Sequence, residues 1–210
     1  MTNSAALDRP HVFLPAAGTP AGPPLLLLHG TGGDENDLLP LRDHLSPGAA
    51  VLSPRGTVLE GGMPRFFRRL REGVCDEADL SRRADELADF VVTAGEHYGI
   101  APGSLVAVGF SNGSNIASAL LLRHPEVLRG AVLFAAMVPY AEPPPASLTG
   151  LDIVISNGTR DPMIPPAQTA LLSRQLQDRG AAVTELPHPG GHQIDGSQLP
   201  QIAGLLHDLV

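Results

Sequence analysis

The chain has 210 residues, 43% of them hydrophobic and 17% charged, with a formal net charge of -8 at pH 7. That is enough apolar material for one domain with a sizeable core, and it is too acidic for a nucleic-acid surface or an anionic membrane partner. The single cysteine, Cys75, cannot form an internal disulfide, so folding does not depend on an oxidising compartment.

Residues 1–10 carry Asp8 and no long apolar stretch, so they do not read as a signal peptide. The longest strongly apolar run, Leu25 to Leu28, is far too short to cross a bilayer. A soluble cytoplasmic protein without membrane insertion is expected. His11 to Leu14 suits an edge strand, and the Gly- and Pro-rich stretch 16–24 suits a loop. Leu25 to Leu28 reads as a strand buried on both faces of a parallel sheet. It runs into His29-Gly30-Thr31-Gly32-Gly33. Asp34 or Asn36 is expected to cap a helix through Leu38, Leu39, Leu41 and Leu45, with Pro40 near its first turn. Ala50 to Ser53 is a further strand, closed by Pro54-Arg55-Gly56. Residues 57–76 have no clear periodicity and are expected to form a loop that covers the site, since a long loop in a compact domain is usually functional.

Apolar positions at Leu80, Ala84, Leu87, Ala88 and Val91 predict a helix over 79–98, ended by Gly99. Leu105 to Phe110 predicts a strand and 112–123 a helix that stops before Pro125. Strands follow at 130–138, 153–156 and 182–186. Helices are expected at 167–179 and at 198–209, the latter interrupted near Pro200. Alternating strands and helices predict an α/β fold, a mostly parallel central sheet with helices on both faces and no large lid. One domain spanning 1–210 is expected.

The strand–helix junction carries Gly109-Phe110-Ser111-Asn112-Gly113, a G-x-S-x-G pattern. In that context it predicts a sharp turn that lifts the serine hydroxyl above the sheet as a nucleophile. A serine needs a base, and the base needs an orienting group. In such sheets both belong in loops at the carboxyl ends of strands. Asp161, in Asn-Gly-Thr-Arg-Asp-Pro, meets that condition, whereas its competitor Asp152 begins a strand. His192, in Pro-Gly-Gly-His, is favoured over His188 in the same loop. The order Ser111, Asp161, His192 is that of an α/β-hydrolase. Oxyanion donors are expected from the N–H of Asn112 and from Thr31 in the loop after the Leu25–Leu28 strand. The glycines at 30–33 do not read as a phosphate loop, because neither Gly-Lys-Ser/Thr nor G-x-G-x-x-G is present. Cys75, in a charged stretch without a nearby histidine, does not read as a nucleophile.

Leu-Leu-Leu-Leu-His-Gly-Thr-Gly-Gly-Asp-Glu, Gly-Phe-Ser-Asn-Gly-Ser, Gly-Thr-Arg-Asp-Pro-Met-Ile-Pro and Gly-Gly-His together resemble the phospholipase/carboxylesterase family of α/β-hydrolases. Ser-Pro-Arg-Gly and Arg-Phe-Phe-Arg-Arg make the chain similar to its small bacterial carboxylesterases. The resemblance runs from Leu25 onward. It implies a triad of Ser111, Asp161 and His192, oxyanion donors at Thr31 and Asn112, and ester hydrolysis with no metal or cofactor. Asn112 stands where acyl-protein thioesterases carry Gln, which leaves a backbone role intact but weakens the transfer of their substrates.

Candidate pocket residues are Phe66, Phe67, Met137 with Val138, and Met163 and Ile164. Arg65, Arg68 and Arg69 are either a solvated face or, in part, a pocket wall for a substrate with a carboxylate or other electron-rich group. The expected substrate is a short-chain or small aromatic ester. The rivals are a thioesterase or lysophospholipase on the same site and a non-catalytic small-molecule binder on the same scaffold. A homodimer is left open as an assembly.

Overall fold

The computed structural model describes residues 7–71 and 73–208. Its frame is a seven-stranded sheet. In chain order the strands are β1 (His11–Leu14), β2 (Leu25–Leu28), β3 (Val51–Pro54), then β8 (Leu105–Phe110), β9 (Leu128–Phe134), β10 (Asp152–Ser156) and β11 (Ala182–Glu185). In space they lie β1-β3-β2-β8-β9-β10-β11, with β1 antiparallel to β3 and the others parallel. Between β3 and β8 come two hairpins, β4 (Val58–Glu60) with β5 (Met63–Arg65), and β6 (Arg69–Arg71) with β7 (Val74–Cys75). The helices are α1 (Leu41–Leu45), α2 (Glu77–Tyr98), α3 (Asn112–Arg123), α4 (Pro166–Gln177) and α5 (Leu199–His207).

The four leucines of β2 show how the two layers of core are built. Successive strand side chains point to opposite faces. Leu26 and Leu28 enter the cluster shared with α2, α3 and α4. Leu25 and Leu27 enter the cluster under α1 and α5. All four are fully buried. A strand covered on both faces has no polar alternation to show, which is why this run is purely apolar.

Four elements differ from expectation. The helix awaited from Asp34 or Asn36 shrinks to α1, beginning at Leu41. The Asp34 carboxylate accepts from the Asn36 backbone N–H at 2.8 Å, a local turn that competes with helix. Pro40 in turn disfavours helical backbone at Leu39. Residues 57–76 are not irregular but form the two hairpins, reversed at Gly61-Gly62 and near Gly73, all three with φ between 60° and 82°. Strand β9 ends at Phe134 rather than 138, because Ala135 turns the chain at φ 50°. The helix from 199 is also continuous, since Pro200 sits in its first turn, where a missing N–H costs nothing.

Helix α3 crosses β2 so closely that a methyl group on Gly113 would overlap the Leu28 carbonyl. Both partners are backbone, so neither side can yield. Gly113→Ala is therefore expected to destabilise the fold by about 3 kcal/mol, read from denaturant midpoints. Gly204→Ala, in open space on α5, is the control and should gain up to about 1 kcal/mol from helix propensity.

Candidate active site

Ser111 lies between β8 and α3 with φ 53° and ψ -111°. Among the described residues only Ser111 and Ala135 are non-glycine residues with positive φ, and they follow neighbouring strands. Such backbone costs about 1–3 kcal/mol and persists only when its surroundings impose it. Here the Ser111 N–H donates to the Phe134 carbonyl at 2.9 Å, and Asn115 N–H donates to the Ser111 carbonyl at 3.0 Å. A side chain on Gly109 would collide with the Gly113 backbone. The turn is locked from both sides.

The Ser111 hydroxyl donates to His192 Nε2 at 2.9 Å, and His192 Nδ1–H donates to Asp161 Oδ2 at 2.7 Å. The other Asp161 oxygen accepts the backbone N–H groups of Met163 (2.8 Å) and Ile164 (3.2 Å). The carboxylate is buried and its orientation is fixed by backbone. Asp161 follows β10 and His192 follows β11, and the two loops are stitched together. Thr159 N–H donates to the His188 carbonyl at 2.8 Å and Arg160 N–H to the Gly190 carbonyl at 3.1 Å. Gly158 permits this approach, since a methyl there would strike the Gly190 and Gly191 carbonyls. The competitors lie elsewhere. Asp152 is exposed at the start of β10, and His188 is buried with Nδ1 accepting from Gly190 N–H at 3.2 Å.

Asn112 is the first residue of α3, so its N–H has no acceptor within the helix. Its side-chain Oδ1 accepts the Phe66 N–H at 2.7 Å, which ties the hairpin arm to the residue beside Ser111. Thr31 accepts a hydrogen bond from Arg65 Nη1 at 2.7 Å through its hydroxyl. Beneath this loop is a residue that the sequence reading passed over, His29. Its Nδ1–H donates to the Gly30 carbonyl at 2.7 Å and its Nε2 accepts the Gly56 N–H at 2.9 Å. The Phe66 ring packs on it at 4.7 Å. Both ring nitrogens are used by the neutral form, and burial pulls the pKa below the ordinary 6.5. The only sequence signal was its position directly after the β2 strand.

The pocket beside Ser111 has a volume of about 50 Å³ and is lined by Thr31, Asn112, Arg65, Phe67, Met137 and Met163 among others. Four residues expected in it are not there. Val138 packs against the core cluster instead. Phe66 and Ile164 are core side chains, 2% and 4% exposed. Arg68 turns away to Asp76 at 3.0 Å and Asp79 at 3.8 Å at the start of α2. In their place the hairpins contribute Arg69, Arg71 and Cys75. Burial pushes the Cys75 thiol up to about 11, so it stays protonated at neutral pH. A larger apolar cavity of about 300 Å³, between the end of α2 and the start of β8, lies at the opposite end of β8 from Ser111. Among the described residues no three His, Cys, Asp or Glu side chains converge as a metal-ligand set, and no helix is long and apolar enough to cross a membrane.

Comparison with known proteins agrees with this architecture. The model of the phospholipase/carboxylesterase family matches residues 11–209. The chain belongs to that family. It is a carboxylic ester hydrolase with the α/β-hydrolase fold. It is 46% identical over 177 residues to the protein named "Putative hydrolase MhqD" of Bacillus subtilis (strain 168), a match covering 84% of this chain and 88% of the relative. The crystal structure of the Bacillus cereus carboxylesterase superposes with a TM-score of 0.93 at 42% identity, covering 99% of this chain and 96% of that one. The structure of YahD with malic acid superposes at 0.88 with 26% identity, covering 96% of this chain and 100% of that one.

The His29 geometry has a consequence for stability. A histidine whose native pKa is depressed binds protons more readily when unfolded, so its stabilising contribution is complete above pH 6.5 and is lost as pH falls below it. Thermal midpoints measured from pH 7.5 down to 5 should fall more steeply for the wild type than for His29→Gln. Parallel slopes would contradict a neutral, hydrogen-bonded His29.

Proposed function

We propose that the protein is a serine esterase acting on short-chain or small aromatic carboxylic esters. The observation that carries this reading is the chain of hydrogen bonds Ser111–His192–Asp161 at 2.9 and 2.7 Å, opening on a small pocket. Ser111 Oγ attacks the ester carbonyl carbon while His192 Nε2 takes its proton. Asp161 holds the imidazole tautomer that exposes Nε2 as the acceptor and stabilises the imidazolium. The carbonyl oxygen becomes an oxyanion, which accepts hydrogen bonds from the backbone N–H groups of Asn112 and Thr31. The carbon–oxygen bond to the alcohol breaks, and His192 returns its proton to the leaving alkoxide. A water then attacks the acyl-enzyme, giving its proton to His192, and the carboxylic acid leaves as Ser111 regains the proton.

Pocket size favours small esters over lipidated substrates. Drug-sized ligands occupy about 300–1,000 Å³, against about 50 Å³ here. The same machinery could serve a thioesterase or lysophospholipase, but those need room for a long acyl chain.

Ser111→Ala should keep the wild-type thermal midpoint and abolish hydrolysis of p-nitrophenyl butyrate and labelling by a fluorophosphonate. Full activity in that variant sinks the assignment. Asp161→Asn should keep the geometry but lower kcat by about 10⁴-fold, because the amide selects the wrong imidazole tautomer. Across acetyl, octanoyl and palmitoyl esters, kcat/KM should decline with length, and a palmitoyl optimum would favour the thioesterase reading.

A further inference from the structure

The wall opposite the nucleophile is unusually cationic for this protein. Arg65, Arg69 and Arg71 all line the pocket that holds Ser111, and among the described residues no Asp or Glu does. The nearest described carboxylate is Glu60, which both Arg65 Nε (3.1 Å) and Arg69 Nε (3.0 Å) share. Among the described residues three guanidinium groups stand against that one carboxylate, a formal +2, in a chain whose net charge is -8. That concentration beside a reactive serine is not what a solvated charge run would produce.

The three arginines differ in what they have left to offer. Arg65 is 5% exposed and occupied: Nη1 bonds Thr31 Oγ1 at 2.7 Å and Nε bonds the Phe67 carbonyl at 3.2 Å. It is part of the frame. Arg69 uses only Nε on Glu60, and its terminal nitrogens have no acceptor among the described residues. Arg71, exposed at the end of β6, likewise has none among them. Asn112 Nδ2, deeply buried on the same pocket, also lacks an acceptor. Both lining side-chain amide carbonyls are already taken, Asn112 Oδ1 by Phe66 N–H at 2.7 Å and Asn115 Oδ1 by Met137 N–H at 3.0 Å. The pocket is rich in free donors and poor in free acceptors. The groups that match planar guanidinium donors are carboxylates and phosphates, and a carboxylate is the smaller of the two.

We propose that this pocket selects esters carrying a second, free carboxylate, which Arg69 and Arg71 bind while Arg65 and Glu60 hold the hairpins in place. The inference rests on the esterase reading for the reaction itself but not for the anion subsite. The carboxylate can lie on the acyl or the alcohol side of the ester, and each arrangement has a neutral isostere.

The test compares kcat/KM by pH-stat for monoethyl succinate against ethyl 4-methylpentanoate, and for 3-acetoxypropanoate against 3-methylbutyl acetate. The wild type should prefer the charged member of at least one pair by about tenfold, less at high salt. Whichever pair shows it identifies the side. In Arg69→Gln/Arg71→Gln that ratio should fall about tenfold, and in Arg71→Gln alone by a smaller factor, which covers the case of a misfolded double variant. Arg174→Gln, on the exposed face of α4, should keep the ratio. A purely structural role for the arginines would lower both rates and leave the ratio unchanged. Equal rates within both pairs in the wild type, or a ratio insensitive to both variants, overturns the proposal. If no ester is turned over and fluorophosphonate fails to label Ser111, the esterase reading has failed. Calorimetric titration with succinate then still decides the subsite: binding lost in the double variant supports it, and absence of binding to the wild type overturns it.

Discussion

The close backbone crossing of α3 over β2 is the constraint on which the rest of the structure depends. Gly113 lies against the Leu28 carbonyl, and Gly109 against Gly113 itself. With these contacts the chain can leave β8 and enter α3 within one residue, and Ser111 takes a conformation that L side chains rarely adopt. The strain of that residue is offset by the apolar packing of β2, β8 and α3, all of them deeply buried. In the proposed esterase, a nucleophile on such rigid backbone does not have to be ordered again in each cycle, which is the value of preorganisation.

The partners of the serine are held by the same logic on the next strands. The loops after β10 and β11 are joined by backbone hydrogen bonds, and Gly158 allows them to touch. Asp161 is oriented by two backbone N–H groups, so it has one oxygen left for His192. On the other flank, His29 props the 30–33 loop against Gly56, and Asn112 grips the Phe66 backbone. Several of these ties run from a buried polar side chain to a backbone group of a different loop. Left unpaired, each such group would cost roughly 1–3 kcal/mol, so the loops are held to a single arrangement around Ser111.

The hairpins from 58 to 75 add what the sheet does not supply. They close one side of the pocket with Phe67 and Arg65, and they bring the arginines of β6 next to a serine far away in sequence. Their exposed tips carry Leu59 and Leu70, while Phe66 and Phe67 anchor their base in the core. The candidate site thus divides into a sheet-borne Ser111–His192–Asp161 chain and a hairpin-borne wall.

The apolar run 25–28, the G-x-S-x-G turn and the order Ser111, Asp161, His192 could all be read in the sequence, because each is a local pattern tied to a strand end by rules of chain geometry. Asp161 could be told from Asp152 for the same reason: one follows a strand and the other begins it. The hairpins could not be read, since strands of two or three residues carry no period and their turns rest on single glycines. Nor could the fate of Arg65, Phe66, Phe67 and Arg68, four consecutive residues of which two line the pocket, one is core and one turns outward. Adjacent side chains on a short, twisted segment are sorted by what already occupies the space around them. Thr31, Glu60, Asn112 and Asp79 decide that sorting, and they reach this segment only through tertiary packing. By itself the sequence determined which residues meet at Ser111, because their positions obey local rules. The pocket wall was decided by the tertiary structure, because long-range contacts alone determine which way each of its side chains turns.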